Sequence, residues 1–184
     1  LRIGTQARPD LFALAVRRAP VLYGRVAEIP ERMDAAGRVL APLDVAATEA
    51  ALREALDDGY PAVAIAFLHA YVNPEHERQA AAIARDVGFA QVTPSHAASP
   101  LVKIVARGDT AVVDAYLSPV LRGHVERVAD ALDLGRAVER LQFMQSSGGL
   151  TDAGMFQGKD AILSGPAGGI VGMARTGEEA GFDR

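Results

Sequence analysis

The sequence contains no cysteine and no tryptophan among its 184 residues. Without cysteine, disulfides, thiol catalysis, cysteine-ligated zinc and iron–sulfur clusters are excluded. The same absence fits a reducing compartment, and we expect a cytoplasmic protein. No apolar run approaches the roughly 20 residues that a membrane-spanning helix needs, and the N-terminus lacks a basic-then-apolar secretory pattern. We therefore expect no membrane partner.

Dense clusters of positive charge are also missing. The 19 Lys and Arg residues are outnumbered by 23 Asp and Glu residues, so the formal net charge is −4. Phosphate backbones are bound by clustered positive charge, which argues against a nucleic-acid partner. Hydrophobic residues make up 49% and charged residues 23% of the chain, as in ordinary globular proteins. The length fits one good-sized domain or two small ones.

The first half of the chain alternates between helical and extended patterns, which is typical of α/β proteins. Asp44 or Thr48 can cap one helix and Asn73 another, and Gly59 and Gly88 can end them. A continuous apolar run indicates a strand buried on both faces. The predicted elements are a short helix or loop over 1–19, a strand over 21–32, a hairpin through 33–40, a helix over 44–58, the buried strand over 62–68, a helix over 73–87 and a strand over 89–93.

The second half begins with a long helical pattern over 101–134, which Pro119 should kink or restart. Asp109 can cap the segment before that proline. Proline, serine and histidine interrupt both periodicities at 94–101, so we place a subdomain boundary there. The remaining predicted elements are a strand over 140–145, a short helix from Thr151-Asp152, a strand over 161–163 and a helix that leaves a glycine turn at 164–169.

That glycine turn, SGPAGG, allows two interpretations. Backbone N–H groups at the start of a helix can cradle a phosphate or carboxylate. Small residues can instead let one helix pass close to another. The spacing matches neither the P-loop nor the dinucleotide fingerprint. The residues concerned are Ser164, Gly165, Gly168 and Gly169.

An earlier glycine turn ends the strand predicted over 140–145. Ligands of open α/β sheets bind outside the carboxyl ends of strands, which favours a binding role for this turn. No His or acid neighbours its serines, so a serine nucleophile would lack a base. A simple polar turn is the alternative. The candidate residues are Gln145, Ser146, Ser147, Gly148 and Gly149.

The histidines and one arginine complete the candidate groups. His69 and His76 flank a strand-to-helix loop, and their spacing relative to His96 and His124 matches no zinc pattern. We expect no metal site and histidines that are solvated or at the edge of the core. Arg107 could place a guanidinium in a cleft, or it could belong to a capped helix start.

Five stretches in the same order resemble the hydantoinase/oxoprolinase family, and together they cover essentially the whole chain. Any one alone would be weak, but their agreement in order is specific. They are EIPERMD with GRVL at 28–40, AFLHAYVNPEHE at 66–77, DAYL at 114–117, MQSSGGL at 144–150 and LSGPAGG at 163–169.

The resemblance implies an α/β fold of the actin-like (ribonuclease-H-like) ATPase type, with a mixed sheet flanked by helices. It implies an ATP- and Mg²⁺-dependent enzyme that opens cyclic amides such as 5-oxoproline or hydantoins, while relatives carboxylate ketones. The A-type subunit of this family works with a B-type subunit or a fused equivalent domain. A non-catalytic module of the same fold, a ketone carboxylase subunit and a small-molecule kinase of the same superfamily are the alternatives.

The family's acidic D-x-G-G-T phosphate loops are absent from this sequence. We therefore expect an internal fragment, inactive alone, with the end of an N-terminal domain at 1–97 and the start of the central domain at 98–184. Two departures from the family pattern concern the site: Ser147 stands where Asn is usual, and the acid–tyrosine pair before Arg107 is missing.

The resemblance also divides the candidate residues by role. It assigns Gly168, Gly169 and Gly172 to close packing of a connecting helix. The substrate- or nucleotide-proximal prediction then falls on 145–149, with Arg107 and His69.

Overall fold

A computed structural model of the chain describes residues 12, 14–15 and 20–182. The chain divides into two compact units, Leu1–Tyr116 and Leu117–Arg184. The helix or loop predicted over 1–19 lies almost entirely outside the described residues. The domain boundary expected after residue 97 stays a prediction.

A short hairpin precedes the first helix. β1 (Arg32–Met33) pairs antiparallel with β2 (Val39–Ala41), with an irregular register at β1. Asp34 Oδ1 accepts two backbone N–H groups of the turn, each at 2.9 Å, and Gly37 has a φ of +80°, which glycine tolerates. The hairpin is confirmed. The strand predicted over 21–32 is wrong except at its last residue, because the preceding residues pair with no described strand.

Helix α1 (Val45–Asp57) is confirmed with its cap. Asp44 Oδ1 accepts the backbone N–H of Ala47 at 2.9 Å. Thr48, the other predicted cap, lies inside the helix and donates its hydroxyl to the Asp44 carbonyl at 2.6 Å. Gly59 has a φ of +88°, as expected of the residue that ends a helix in the left-handed conformation.

Strands β3 (Ala62–Ile65) and β4 (Gln91–Pro94) pair in parallel. The strand predicted over 62–68 is therefore too long, and only Ile65 of β3 is fully buried. The strand is shorter because both the N–H and the carbonyl of Phe67 bond to side chains of two helices, those of Glu77 and Arg107. Those backbone groups are consequently unavailable to a neighbouring strand.

Helix α2 (Glu75–Val87) connects the two parallel strands. Pro74 is its cap residue. Asn73, the residue before this cap, accepts the Glu75 N–H with its Oδ1 at 3.1 Å. Gly88 ends it with a φ of +115°. The predicted helix is thus confirmed, with its start shifted by two residues.

The core of the first unit brings together α1, α2 and the parallel pair. Alanines on one face of α2 let the neighbouring elements approach closely, and larger side chains from the other elements fill the space around them. The buried members are Leu43, Leu52, Ile65, Ala80, Ala81, Ala84 and Phe89.

A short helix, α3 (Ser95–Ala98), precedes the long helix α4 (Ile104–Ala131). Of the kink or restart predicted at Pro119, the restart is not found, because α4 continues through that residue. A proline inside a helix removes one backbone hydrogen bond, and the kink stays a prediction. Asp109 is likewise an interior residue of α4 and not its cap.

The second unit contains an antiparallel hairpin of β5 (Gln142–Met144) and β6 (Leu150–Asp152). The strand predicted over 140–145 is confirmed in shorter form. The helix predicted from Thr151 is wrong at its start, because Thr151 pairs with Phe143. A 3₁₀ turn, Ala153–Met155, follows directly.

Two helices complete the second unit, α5 (Gly158–Ala161) and α6 (Ser164–Glu179). The strand predicted over 161–163 is wrong, because Ile162 and Leu163 join the two helices directly. Three apolar residues gave too short a pattern to separate a strand from a helix end.

The three strand pairs form three separate two-stranded sheets among the described residues. The α/β class is confirmed, but the single mixed sheet is not found in this part of the chain. No described helix is both long enough and apolar enough to cross a membrane.

The contact beneath Gly158 gives a test of this packing. A Cβ at Gly158 would lie 2.8 Å from both the Leu117 Cβ and the Ser118 backbone N. We expect Gly158→Ala to destabilise the purified protein by about 1–3 kcal/mol in urea unfolding, because the backbone must shift. Gly154→Ala, whose Cβ would meet nothing within 4 Å, should change stability by less than about 0.5 kcal/mol. Equal losses of unfolding free energy in the two variants would contradict the close contact of Gly158 with Leu117 and Ser118.

Candidate functional site

The carboxyl ends of the two parallel strands carry the polar residues of the first unit. The loop 66–74 follows β3, and α3 follows β4. Because β3 and β4 are parallel neighbours, these two segments leave the sheet at the same edge. Ligands of α/β proteins bind at such edges.

Glu77, on the first turn of α2, is the centre of this edge and is 0% exposed. Its Oε1 accepts the Phe67 N–H at 2.9 Å and the Ser95 hydroxyl at 2.5 Å. Its Oε2 accepts the His96 backbone N–H at 2.8 Å and contacts His96 Nδ1 at 2.7 Å. Four groups thus surround one carboxylate, as burial of a charge requires.

Arg107, near the start of α4, is equally buried. Its Nε donates to Ser95 Oγ at 2.8 Å, which links it to Glu77 through one hydroxyl. Its two terminal nitrogens donate to four backbone carbonyls. Those carbonyls belong to Phe67, Leu68, Leu101 and Val102.

The guanidinium therefore uses all five of its N–H donors within the protein. Burial lowers the pKa of Arg107 from its usual value, and the nearby charge of Glu77 opposes that shift. The group still carries its positive charge at neutral pH. Arg107 fixes the loop after β3, which corrects the interpretation of a guanidinium directed into a cleft.

His69 lies in the loop that Arg107 and Glu77 hold. Its Nδ1 is buried and has no hydrogen-bond partner among the described residues. Its ring centroid is 6.1 Å from that of Tyr71, whose ring lies 5.7 Å from the Arg107 guanidinium carbon. The structure thus brings together His69 and Arg107, two of the residues singled out from sequence.

The other histidines do not join His69 in a metal site. His76 pairs with Glu31, Nδ1 to Oε2, at 2.8 Å, and His124 lies on the exposed side of α4. No group of three or more His, Asp or Glu side chains in the described residues could hold a metal ion.

The predicted turn at 145–149 is the loop of the β5–β6 hairpin. Gln145 N–H donates to the Gly149 carbonyl at 2.8 Å, and Gly148 has a φ of +84°. Ser146 is occupied structurally: its hydroxyl donates to the Asp160 carbonyl at 2.7 Å and accepts the Leu163 N–H at 3.0 Å.

Ser147 differs from its neighbour, because it is exposed. β5 pairs antiparallel with β6 in a two-stranded sheet. The hairpin therefore has no carboxyl edge of a parallel sheet at which a ligand would be expected to bind. A ligand role for 145–149 stays a prediction.

The second glycine stretch forms no turn. Ser164, Gly165, Gly168 and Gly169 all lie in the first two turns of α6. A Cβ at Gly168 would be 3.5 Å from Met144, whereas a Cβ at Gly165, Gly169 or Gly172 would meet nothing within 4 Å. Among these glycines, only a Cβ at Gly168 would make a contact with the described residues, at an ordinary van der Waals distance, and their close packing stays a prediction.

A shallow depression on the second unit includes none of the predicted site residues. Arg140 Nε and Asp152 Oδ1 form an ion pair at 2.8 Å on its wall. Its lining residues are Leu134, Gly135, Glu139, Arg140, Leu141, Asp152, Ala153 and Gly154.

The sequence patterns missed the central residues of the first unit. Glu77 entered only as an acid that a histidine metal site would need, and Ser95 and His96 were placed in a boundary segment. One signal could have found them: Ser95 and His96 directly follow a strand that is parallel to β3.

Comparison with protein families gives two successive matches, which together cover most of the chain. The hydantoinase/oxoprolinase N-terminal region matches residues 1–88, and the hydantoinase/oxoprolinase family matches residues 107–184. The chain belongs to the hydantoinase/oxoprolinase family. The predicted resemblance is confirmed.

Curated members of this family are much longer than the chain. A 5-oxoprolinase of Saccharomyces cerevisiae is 36% identical over 203 residues, covering 96% of this chain and 16% of the relative. 5-Oxoprolinase 1 of Arabidopsis thaliana is 38% identical over 195 residues, covering 96% of this chain and 15% of the relative. The chain therefore spans about one sixth of these family members.

Two solved structures are also similar. The ATP-dependent caprolactamase from Pseudomonas jessenii matches 99% of this chain and 27% of its own, with 30% identity and a TM-score of 0.76. The nucleotide-free acetone carboxylase matches 83% of this chain and 22% of its own, with 26% identity and a TM-score of 0.72.

Glu77 provides the sharpest test of the first-unit site. Glu77→Gln keeps the size of the side chain but turns one acceptor oxygen into a donor that faces two other donors. Breaking a buried charged network costs about 3–5 kcal/mol, and we expect a loss of that order in urea unfolding. The control is Glu75→Gln, an exposed glutamate of the same helix turn, which should stay within about 0.5 kcal/mol. A tolerated Glu77→Gln would show that the network does not hold the loop.

Two adjacent serines test the hairpin. Ser146→Ala removes both hydrogen bonds that its hydroxyl makes and should destabilise the protein by about 1–2 kcal/mol. Ser147→Ala removes an exposed hydroxyl and should change the unfolding free energy little. If Ser146→Ala instead lowered the catalytic turnover of the full-length protein and left the unfolding free energy unchanged, the Ser146 hydroxyl would be a ligand group and not a structural one.

Proposed function

We propose that the protein containing this chain is an ATP-dependent hydrolase that opens cyclic amides, with 5-oxoproline as the first substrate to test. The similarity to the ATP-dependent caprolactamase carries this proposal, because it extends over 99% of the chain. Caprolactam and 5-oxoproline are both lactams, so the name of the solved structure and the names of the curated 5-oxoprolinases point to one kind of bond.

Ketone carboxylation is the competing reaction within the family. The gamma subunit of acetophenone carboxylase from Aromatoleum aromaticum is 28% identical over 84% of this chain. Acetone carboxylase is 26% identical over 83%. Both similarities are lower and shorter than those to the lactam-opening relatives, and so the cyclic amide is the preferred substrate class.

The proposal includes features that the family resemblance implies for the whole protein. These are an actin-like ATPase fold, Mg²⁺ bound with ATP, a B-type subunit or fused domain as partner, and a cytoplasmic location. The proposed domain division lies between residues 97 and 98. No metal is assigned to the chain's own residues.

Within this chain, we propose two ligand-proximal segments. One is the loop after β3 that carries His69, because a buried imidazole nitrogen there lacks a partner among the described residues. The other is the hairpin loop 145–149, in which Ser147 is exposed while Ser146 is held by the Asp160 carbonyl and the Leu163 N–H.

Release of ADP by the full-length protein, with its partner if it has one, tests the substrate class. We expect ADP release to depend on 5-oxoproline, a hydantoin or caprolactam, with a ring-opened product in equal amount. Acetone and acetophenone with bicarbonate are the comparison substrates. ADP release that depends on a ketone and not on any cyclic amide would reject the proposed hydrolase in favour of a carboxylase.

A further inference from the structure

His96 lies two residues beyond the end of β4, at the edge where the loop after β3 also leaves the sheet. Its side chain is 17% exposed, while its partner Glu77 is completely buried. One ring nitrogen, Nδ1, contacts Glu77 Oε2 at 2.7 Å. The other, Nε2, has no hydrogen bond to any described residue.

The surrounding network determines which nitrogen carries the hydrogen. Ser95 Oγ accepts the Arg107 Nε–H, so its own hydrogen points to Glu77. The backbone N–H groups of Phe67 and His96 are fixed donors to the same carboxylate. Three donors are thus directed at the Glu77 carboxylate, which can only accept. The hydrogen of neutral His96 is therefore on Nδ1, and the lone pair is on Nε2.

This arrangement is the one by which enzymes orient a catalytic imidazole. A carboxylate that accepts Nδ1–H fixes the tautomer and stabilises the imidazolium that forms when Nε2 takes a proton. Here Ser95 and Arg107 fix the carboxylate in turn. The charged groups joined to the imidazole are Glu77, in direct contact, and Arg107, through Ser95.

We propose that His96 is an acid–base group of the ring-opening reaction, with Glu77 as its positioning residue. This role rests on the proposed function. Nε2 takes a proton from water as the water oxygen forms a bond to the carbonyl carbon of the cyclic amide, and the π electron pair of the carbonyl moves to its oxygen. When that pair returns to form the C=O bond again, the carbon–nitrogen bond of the ring breaks. The electron pair of that bond goes to nitrogen, which takes the proton back from the imidazolium and leaves a ring-opened amino acid.

A structural role for His96 would need only the Nδ1–H donor. Asparagine can supply a similar donor from its side-chain amide but has no group at the position of Nε2. His96→Asn therefore separates the two roles: it can satisfy Glu77 but cannot accept the proton. His124→Asn is the matched control, because His124 is an exposed histidine of α4.

The first experiment measures cyclic-amide-dependent ADP release and thermal unfolding in the full-length protein. We expect His96→Asn to lower kcat by about 10²–10⁴-fold, the usual contribution of a general acid–base group, with unfolding close to that of the wild type. The control should keep the wild-type kcat. Wild-type kcat in His96→Asn would overturn the role of His96 and leave the proposed function intact. No turnover by the wild type on any cyclic amide would reject the proposed function itself.

The second experiment uses the wild type and so decides the question even if His96→Asn fails to fold. Diethyl pyrocarbonate acylates unprotonated imidazole nitrogen, and peptide mass spectrometry reports each histidine separately. We expect acylation at His96 that 5-oxoproline together with ADP slows at least several-fold, with acylation of His124 unchanged. Equal rates at His96 with and without these ligands would place its Nε2 away from the substrate and contradict the proposal.

Discussion

The buried carboxylate of Glu77 is the constraint on which the first unit depends. A charge that is removed from water must be met by donors, and those donors come from the loop after β3 and from α3. Arg107 adds the compensating charge through Ser95 and holds the carbonyls of the same loop. The edge of a two-stranded sheet is thereby fixed by side chains more than by strand pairing.

Local signals predicted the elements that local chemistry determines. The Asp44 cap and the hairpin at Asp34 follow from side chains within four residues of the backbone groups that they satisfy. The ends of α1 and α2 follow from glycines, which adopt positive φ angles readily. The end of β3 did not follow from sequence, because the partners of Phe67 lie 10 and 40 positions away. The apolar run in the sequence extends to Leu68, whereas β3 ends at Ile65.

For the candidate site, likewise, the sequence indicated some of the residues but not the contacts that they make. Sequence and resemblance led to His69, Arg107 and the hairpin loop, but not to what each does. Arg107 could face a cleft or belong to a capped helix start, and its five donors are used within the protein. Ser146 could face a ligand or belong to a polar turn, and its hydroxyl joins two segments. Residue type and position in the chain indicate that a group matters, whereas its partners, which only the fold brings near, decide its role.

The reach of Arg107 across the chain has a consequence for how the protein acquires its structure. The carbonyls of Phe67 and Leu68 receive their donors from a residue about 40 positions later. During synthesis, the loop after β3 emerges from the ribosome well before the guanidinium that fixes it. The elements of the core, which are α1, α2 and the parallel strands, end at Pro94 and so precede Arg107 in the chain. The loop after β3 can consequently gain these contacts only after Arg107 has been synthesised.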